Sequence, residues 1–265
     1  MIKFRNEIIT PTNFPDGTKL LKCNPFNTGS YMVTIEWFYE SDEEMFTLYC
    51  LVKHCQKYGY NCKLFLPYIP NARMDRVKSE EEVFTLKYFA EFINSLDFKS
   101  VMVVDPHSYV SAALIDRLCV IEPTDYINNA IELSNPEVIF FPDEGAAKRY
   151  GDLINPWFCG RAFGIKKRDW STGEIKGLEI HGDLDMIKDA KVLIIDDICS
   201  KGGTFYHSAK ALKAAGAASI DLYITHCEHT IFEGELLKED SLIDKIYTTN
   251  SIFHKEHEKI EVFEI

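Results

Sequence analysis

Two adjacent carboxylates, Asp196 and Asp197, stand just ahead of Ser200-Lys201-Gly202-Gly203-Thr204 in the stretch "KVLIIDDICSKGGTF". The glycines allow positive φ and a close backbone approach, so that successive N–H groups can converge on an anion at the start of a helix. Ser200 and Thr204 add hydroxyls. Carboxylates do not bind phosphate, but they accept hydrogen bonds from vicinal hydroxyls. A ligand with a phosphate at one end and a diol at the other, a ribose phosphate, satisfies both halves. The alternative is an ordinary strand–turn–helix connection whose aspartates only cap, and the apolar strand before it and helix after it favour the ligand reading.

Other polar groups stand where strands should end. Arg73 and Arg76 flank Asp75 in "PYIPNARMDR", suiting guanidinium contacts to triphosphate oxygens or else a solvated ion-pair cluster. His107 follows "VMVVDP" and could meet a metal or a phosphate, although a lone histidine is more often structural. Asp143 follows "VIFFP" and could bind a hard cation directly or through water, or simply open a turn. "NFPDGT" reads as a β-turn, or as a place where Phe14 stacks on and Asp16 hydrogen-bonds a base. "GIKKRDWSTGEIKG", from Gly164 to Gly177, is basic and turn-rich. It reads as a mobile loop that could close Lys166, Lys167 and Arg168 over transferring phosphates, or as a solvated hairpin.

These groups need an α/β scaffold. Seven apolar runs, starting at Tyr31, Asn61, Ser100, Glu137, Lys191, Ser219 and Asp244, read as strands, several covered on both faces. Capping boxes at Ser41/Glu44 and Ser79/Glu82 predict helix starts with the apolar stripes Met45, Leu48, Val52, Cys55 and Val83, Leu86, Ala90, Ile93. A third helix should follow Thr204 and stop at Gly216. Alternation of strand and helix implies mostly parallel sheets, whose ligands sit at the carboxyl ends of the strands. The echo between "SVMVVDPHSYVSAALI" and "AKVLIIDDICSKGGTFYHSAKAL" suggests two similar units. We expect 1–132 as the first, 133–250 as the second, and 251–265 as a tail that could pack back on the first.

Bulk properties narrow the classes. A net charge of -12 over 265 residues argues against nucleic acid or an anionic membrane as partner. No apolar run is long enough to span a bilayer, and "MIKFRNEIITP" is not expected to act as a secretory leader. Eight scattered cysteines without a C-x-x-C pair point to free thiols in a reducing cytoplasm.

The Asp196–Thr204 stretch resembles the ribose-phosphate motif shared by type I phosphoribosyltransferases and ribose-phosphate diphosphokinases. Four further stretches, with "FFPDEGAAKR", follow the diphosphokinase order: "NFPDGT", "PYIPNARMDR", "VVDPHS" and "THCEHTIFEGELLKE". The resemblance covers nearly the whole chain. It implies two phosphoribosyltransferase-type units and transfer of a diphosphoryl group from ATP to the anomeric hydroxyl of ribose 5-phosphate. It further implies Mg2+ held near His107 and Asp143, and ATP met by Phe14, Asp16, Arg73, Asp75, Arg76 and His107. Lys166 and Arg168, with Lys167 as the other register, would be the loop cations. Ribose 5-phosphate would lie on Asp196, Asp197, Ser200, Lys201, Gly202, Gly203 and Thr204, in a homo-oligomer, dimer or hexamer. A phosphoribosyltransferase and a non-catalytic synthetase-like subunit are the rival readings. Thr18, Met74, Ser200 and Lys201 depart from the family pattern, which has an acidic residue, Gln and Asp-Thr there.

Overall fold

The computed structural model describes residues 1–24, 30–154, 160–168 and 175–265, with the backbone alone for 166–168 and 175–177. The chain forms two compact units, Met1–Glu122 and Pro123–Ile265.

In the first unit a hairpin of β1 (Ile2–Phe4) and β2 (Glu7–Ile8) edges the sheet, turning through Arg5 and Asn6 at positive φ. A separate two-stranded hairpin, β3 (Thr12–Asn13) and β4 (Lys19–Leu20), carries the "NFPDGT" turn. The remainder alternates: β5 (Met32–Trp37), α1 (Glu44–Lys57), β6 (Asn61–Phe65), α2 (Thr85–Ser95), β7 (Val101–Val104), α3 (Tyr109–Leu114) and β8 (Leu118–Ile121). The order is β2-β1-β5-β6-β7-β8, with β5 to β8 parallel. Strand residues Val33, Ile35, Leu64 and Val103 bury against Leu48, Val52, Leu86 and Ile93 of the helices. Parallel neighbours joined by helices force the loops after β6 and β7 onto one edge, where Val104 N–H donates to Pro67 O at 3.1 Å.

The second unit runs α4 (Thr124–Ser134), β9 (Val138–Phe141), α5 (Glu144–Tyr150), β10 (Gly160–Arg168), β11 (Ile175–Gly182), β12 (Lys191–Cys199), α6 (Gly203–Ala214), β13 (Ser219–Cys227), β14 (Lys245–Thr249) and β15 (Ile260–Phe263). Its sheet, β11-β10-β9-β12-β13-β14-β15, is parallel except for the β10–β11 pair. Both faces are covered, as the near-continuous apolar runs require. Val138, Phe140, Val192 and Ile194 pack toward α6, while Ile139, Phe141, Leu193 and Ile195 pack toward α4 and α5.

All seven expected strands are present, and Gly216 ends α6 with φ +97°. Several expectations need correcting. Helix α1 begins at Glu44 without a side-chain cap, because Glu44 reaches back to Glu40 N–H at 2.9 Å and to Trp37 Nε1 at 2.8 Å instead of serving Ser41. Helix α2 begins at Thr85, because Ser79 and Glu82 close a separate turn in which Glu82 accepts from Lys78 N–H at 2.7 Å. Helix 124–134, assigned by sequence to the first unit, packs on the second sheet, and residues 260–263, expected in a tail, form that sheet's edge strand.

At the N-terminal end of β13, Asp221 is pushed up to about 6, first by burial and then by the charge of Asp244. A carboxyl raised in the fold favours the folded state while protonated. That contribution is complete below the unfolded value of about 4 and is lost as pH rises through about 6. Asp221→Asn should therefore raise stability at pH 7.5 by about 1 kcal/mol, after discounting for solvent screening, and leave it nearly unchanged at pH 4. Urea unfolding at the two pH values checks this.

Candidate active site

Strand β12 passes from apolar to acidic at its carboxyl end, where Asp196 and Asp197 are adjacent. Asp197, 7% exposed at its side chain, meets Arg149 of α5: Nη1 donates to Oδ2 at 3.1 Å. Asp196 accepts from Asp197 N–H at 3.0 Å. Burial, then the charge of Asp197 and more weakly that of Asp143, hold the Asp196 carboxyl well above the usual carboxylate range. Asp143 caps α5, accepting from Ala146 N–H at 3.1 Å. Three carboxylates and one guanidinium thus gather where β9 and β12 end, as sheet order and the short β9–α5 turn dictate.

Next to them the glycine-rich run joins β12 to α6. Gly202 takes φ +78°, and a Cβ there would lie 2.3 Å from Leu236 Cδ1, so glycine is required twice over. Gly203 opens α6, with open space where a Cβ would be. Segment 228–236 packs beneath this run, and a Cβ on Gly234 would lie 1.9 Å from the Lys201 carbonyl oxygen. Lys201 Nζ pairs with Glu233 at 2.8 Å on the surface. Ser200 Oγ lies 3.1 Å from Thr230 Oγ1. Loop N–H groups at the start of a 12-residue helix are of the kind that can receive an anion. The Asp196 edge beside it offers acceptors for hydroxyls.

Lys166, Lys167 and Arg168 are not in a loop. Their backbone continues β10 opposite Leu178, Gly177 and Ile175, with a register shift between Lys167 and Arg168. Antiparallel pairing extends the basic stretch into a hairpin, and residues 169–174 of the expected loop lie outside the described residues.

In the first unit, Arg73, Asp75 and Arg76 occupy the loop after β6, and His107 the loop after β7, on the shared edge of the sheet. Arg73 and Arg76 are exposed, Arg76 lies 3.8 Å from Asp75, and His107 is half-buried. Asp105, buried at φ +43°, turns the chain there. Phe14 is 48% exposed on the β3–β4 turn. Asp16 accepts from Thr18 N–H at 3.0 Å and from its hydroxyl at 2.7 Å, bonds that hold its carboxyl below the usual range.

Arg149, Thr230 and Glu233 were not foreseen. Arg149 sits 48 residues from its partner, and its only sequence signal is its place in the helix that Asp143 caps. Among the described residues no three His, Cys, Asp or Glu side chains gather around one metal position. The oxygen donors present suit a hard cation that keeps most of its water or substrate ligands.

Residues 111–261, more than half of the 265, match the phosphoribosyl transferase domain family. The chain belongs to that family. The matched residues include the acidic pair and the glycine-rich run, which share one strand–turn–helix unit. The chain is also similar to the ribose-phosphate pyrophosphokinase of Sulfolobus acidocaldarius, 27% identical over 247 residues that span 90% of this chain and 82% of that protein. The Aquifex aeolicus ribose-phosphate pyrophosphokinase is 30% identical over 209 residues, 76% of this chain and 65% of that one. Phosphoribosylpyrophosphate synthetase from Mycobacterium smegmatis shares the fold, with TM-score 0.73 and 17% identity across 97% of this chain and 86% of that chain.

Arg149→Met removes the cation beside a nearly buried carboxylate. It should cost about 2–3 kcal/mol of stability, most of it recovered in Arg149→Met/Asp197→Asn, as read by urea unfolding.

Proposed function

We propose that this chain is a ribose-phosphate pyrophosphokinase. Its site would accept ribose 5-phosphate and ATP and release phosphoribosyl pyrophosphate and AMP. The observation that carries this reading is the pairing of two complete α/β units in one chain. The second bears the acidic pair and anion cradle, and the first presents Arg73 and His107 on its own strand-end edge. A transferase acting on a ready-made ribose pyrophosphate needs only the second unit. Similarity to the pyrophosphokinases runs along 90% of the chain and supports the same choice.

The anomeric hydroxyl of the sugar attacks the β-phosphorus of ATP and gives up its proton to solvent. A new O–P bond forms, the bond from that phosphorus to the oxygen bridging the α-phosphate breaks, and AMP departs with that oxygen. Positioning and charge neutralisation supply most of the rate in such displacements. In this reading Asp196 and Asp197 orient the sugar hydroxyls, and the Gly202, Gly203 and Thr204 N–H groups hold the 5-phosphate. Arg73, Asp75 and Arg76 contact the nucleotide, with Phe14 and Asp16 at the adenine. Lys166 and Arg168 steady the transferring group. His107 and Asp143 are proposed as separate contacts for Mg2+ carried in with the triphosphate, whose charge the ion would neutralise when bound. We also propose a cytoplasmic homo-oligomer. The seven described cysteines are free thiols, in keeping with a reducing compartment.

Protein incubated with ribose 5-phosphate, ATP and Mg2+ should release AMP. Transfer of the phosphoribosyl group from added phosphoribosyl pyrophosphate to an added nucleobase, with release of pyrophosphate and no AMP from ATP, would identify a transferase, and ribose 5-phosphate binding with neither activity a non-catalytic subunit. Lys166→Ala and Arg168→Ala should each lower kcat about a hundredfold while Lys167→Ala stays within a few-fold. The reverse order would move the catalytic register by one residue.

A further inference from the structure

The two loop residues that depart from the family pattern, Ser200 and Lys201, both contact the short 3-10 turn His229–Glu233 that follows β13. Lys201 is held by Glu233, as described above. For Ser200 the direction of the hydrogen bond decides what the side chain can do. Thr230 Oγ1 lies 3.1 Å from Ser200 Oγ and donates to Glu228 Oε2, also at 3.1 Å. A hydroxyl has one proton, and an ionised carboxylate can only accept. Thr230 commits its proton to Glu228, so the Ser200–Thr230 bond must be made with the proton of Ser200. The chain runs Ser200 to Thr230 to Glu228, and Ser200 is left with lone pairs alone to turn toward the mouth of the loop.

We propose that Thr230 is a positioning residue that sets the polarity of the phosphate loop. It draws the Ser200 proton away from the anion, so that Ser200 does not act as a phosphate donor. Recognition of the phosphate then falls to the backbone N–H groups of the loop and to Thr204. Glu233 acts in the same sense on Lys201, whose ammonium it holds at 2.8 Å. Turn 229–233 therefore weakens the side-chain contribution of the loop and leaves a cradle dominated by main-chain donors. Such a cradle binds a phosphate less tightly, and releases a phosphorylated product more readily, than one armed with a serine hydroxyl and a lysine.

This inference rests on the reading of loop 200–204 as the phosphate site. Its test is equilibrium binding of ribose 5-phosphate by calorimetry, with AMP release measured in parallel. In Thr230→Val the Ser200 hydroxyl has no acceptor across the turn and can rotate onto the phosphate. Affinity should rise about tenfold, the worth of one hydrogen bond to a charged group. Ser200→Ala should change affinity less than twofold in the native background yet abolish the gain in Thr230→Val. Thr230→Ser, which restores the relay, should bind as the native chain does. General damage to the turn would lower affinity, so the sign separates positioning from scaffolding. Unchanged or weaker binding in Thr230→Val, with an unchanged melting temperature, overturns the proposal, as does a tenfold loss in Ser200→Ala alone. If Thr230→Val melts lower, Thr230→Ala repeats the test with less steric change, and the same two outcomes apply. No binding of ribose 5-phosphate by the native chain would instead overturn the reading of the loop itself.

Discussion

Like charges on neighbouring residues repel, and the second unit is arranged around that repulsion at Asp196 and Asp197. The strand keeps both because α5 brings a guanidinium to one of them. The other remains loaded, raised by burial and by its neighbours. An edge in this condition is receptive to hydroxyl donors and cations, and it stands beside a glycine-lined turn receptive to anions. A sugar phosphate with an attached metal presents those features in the same order. The parallel register of β9, β12 and β13 is what places the strand ends, and hence both halves of the site, in one row.

Much of this is legible in the amino-acid sequence. Fully apolar runs such as "VLII" identify strands covered on both faces, and the Asp-Asp and Gly-Gly pairs mark a strand end and the turn after it. The chain alone leaves "GIKKRDWSTGEIKG" open between loop and hairpin, because its glycines, aspartate and serine signal a turn without marking where the turn begins. The pairing of β10 with β9 and β11 that makes its outer parts extended is a tertiary fact. The helix starts slipped for a similar reason. Glu44 satisfies the indole of Trp37 and a backbone donor upstream, contacts no local pattern contains. Arg149 and Thr230 were invisible because each acts on a residue distant in sequence, through elements that only the assembled sheet brings near.

Both units follow the same rule, with polar groups displayed after parallel strands and apolar residues filling the layers behind. They differ in how the display is supported. In the first, Arg73, Arg76 and Phe14 are exposed on loops and a small hairpin. In the second, Asp197 is nearly buried and its partner is rigidly placed on a helix. Exposed groups suit contacts made only when a nucleotide arrives, whereas buried ones suit a sugar whose hydroxyls must be held in one orientation.

The approach of Gly234 to the Lys201 carbonyl has a bearing on engineering. The glycine-rich turn is moulded against a second segment from beyond the next strand, with no room at the seam for even a methyl group. It therefore cannot be exchanged as a cassette. A graft that carried 200–204 into a related scaffold without 228–236 would lose the surface that gives the turn its shape.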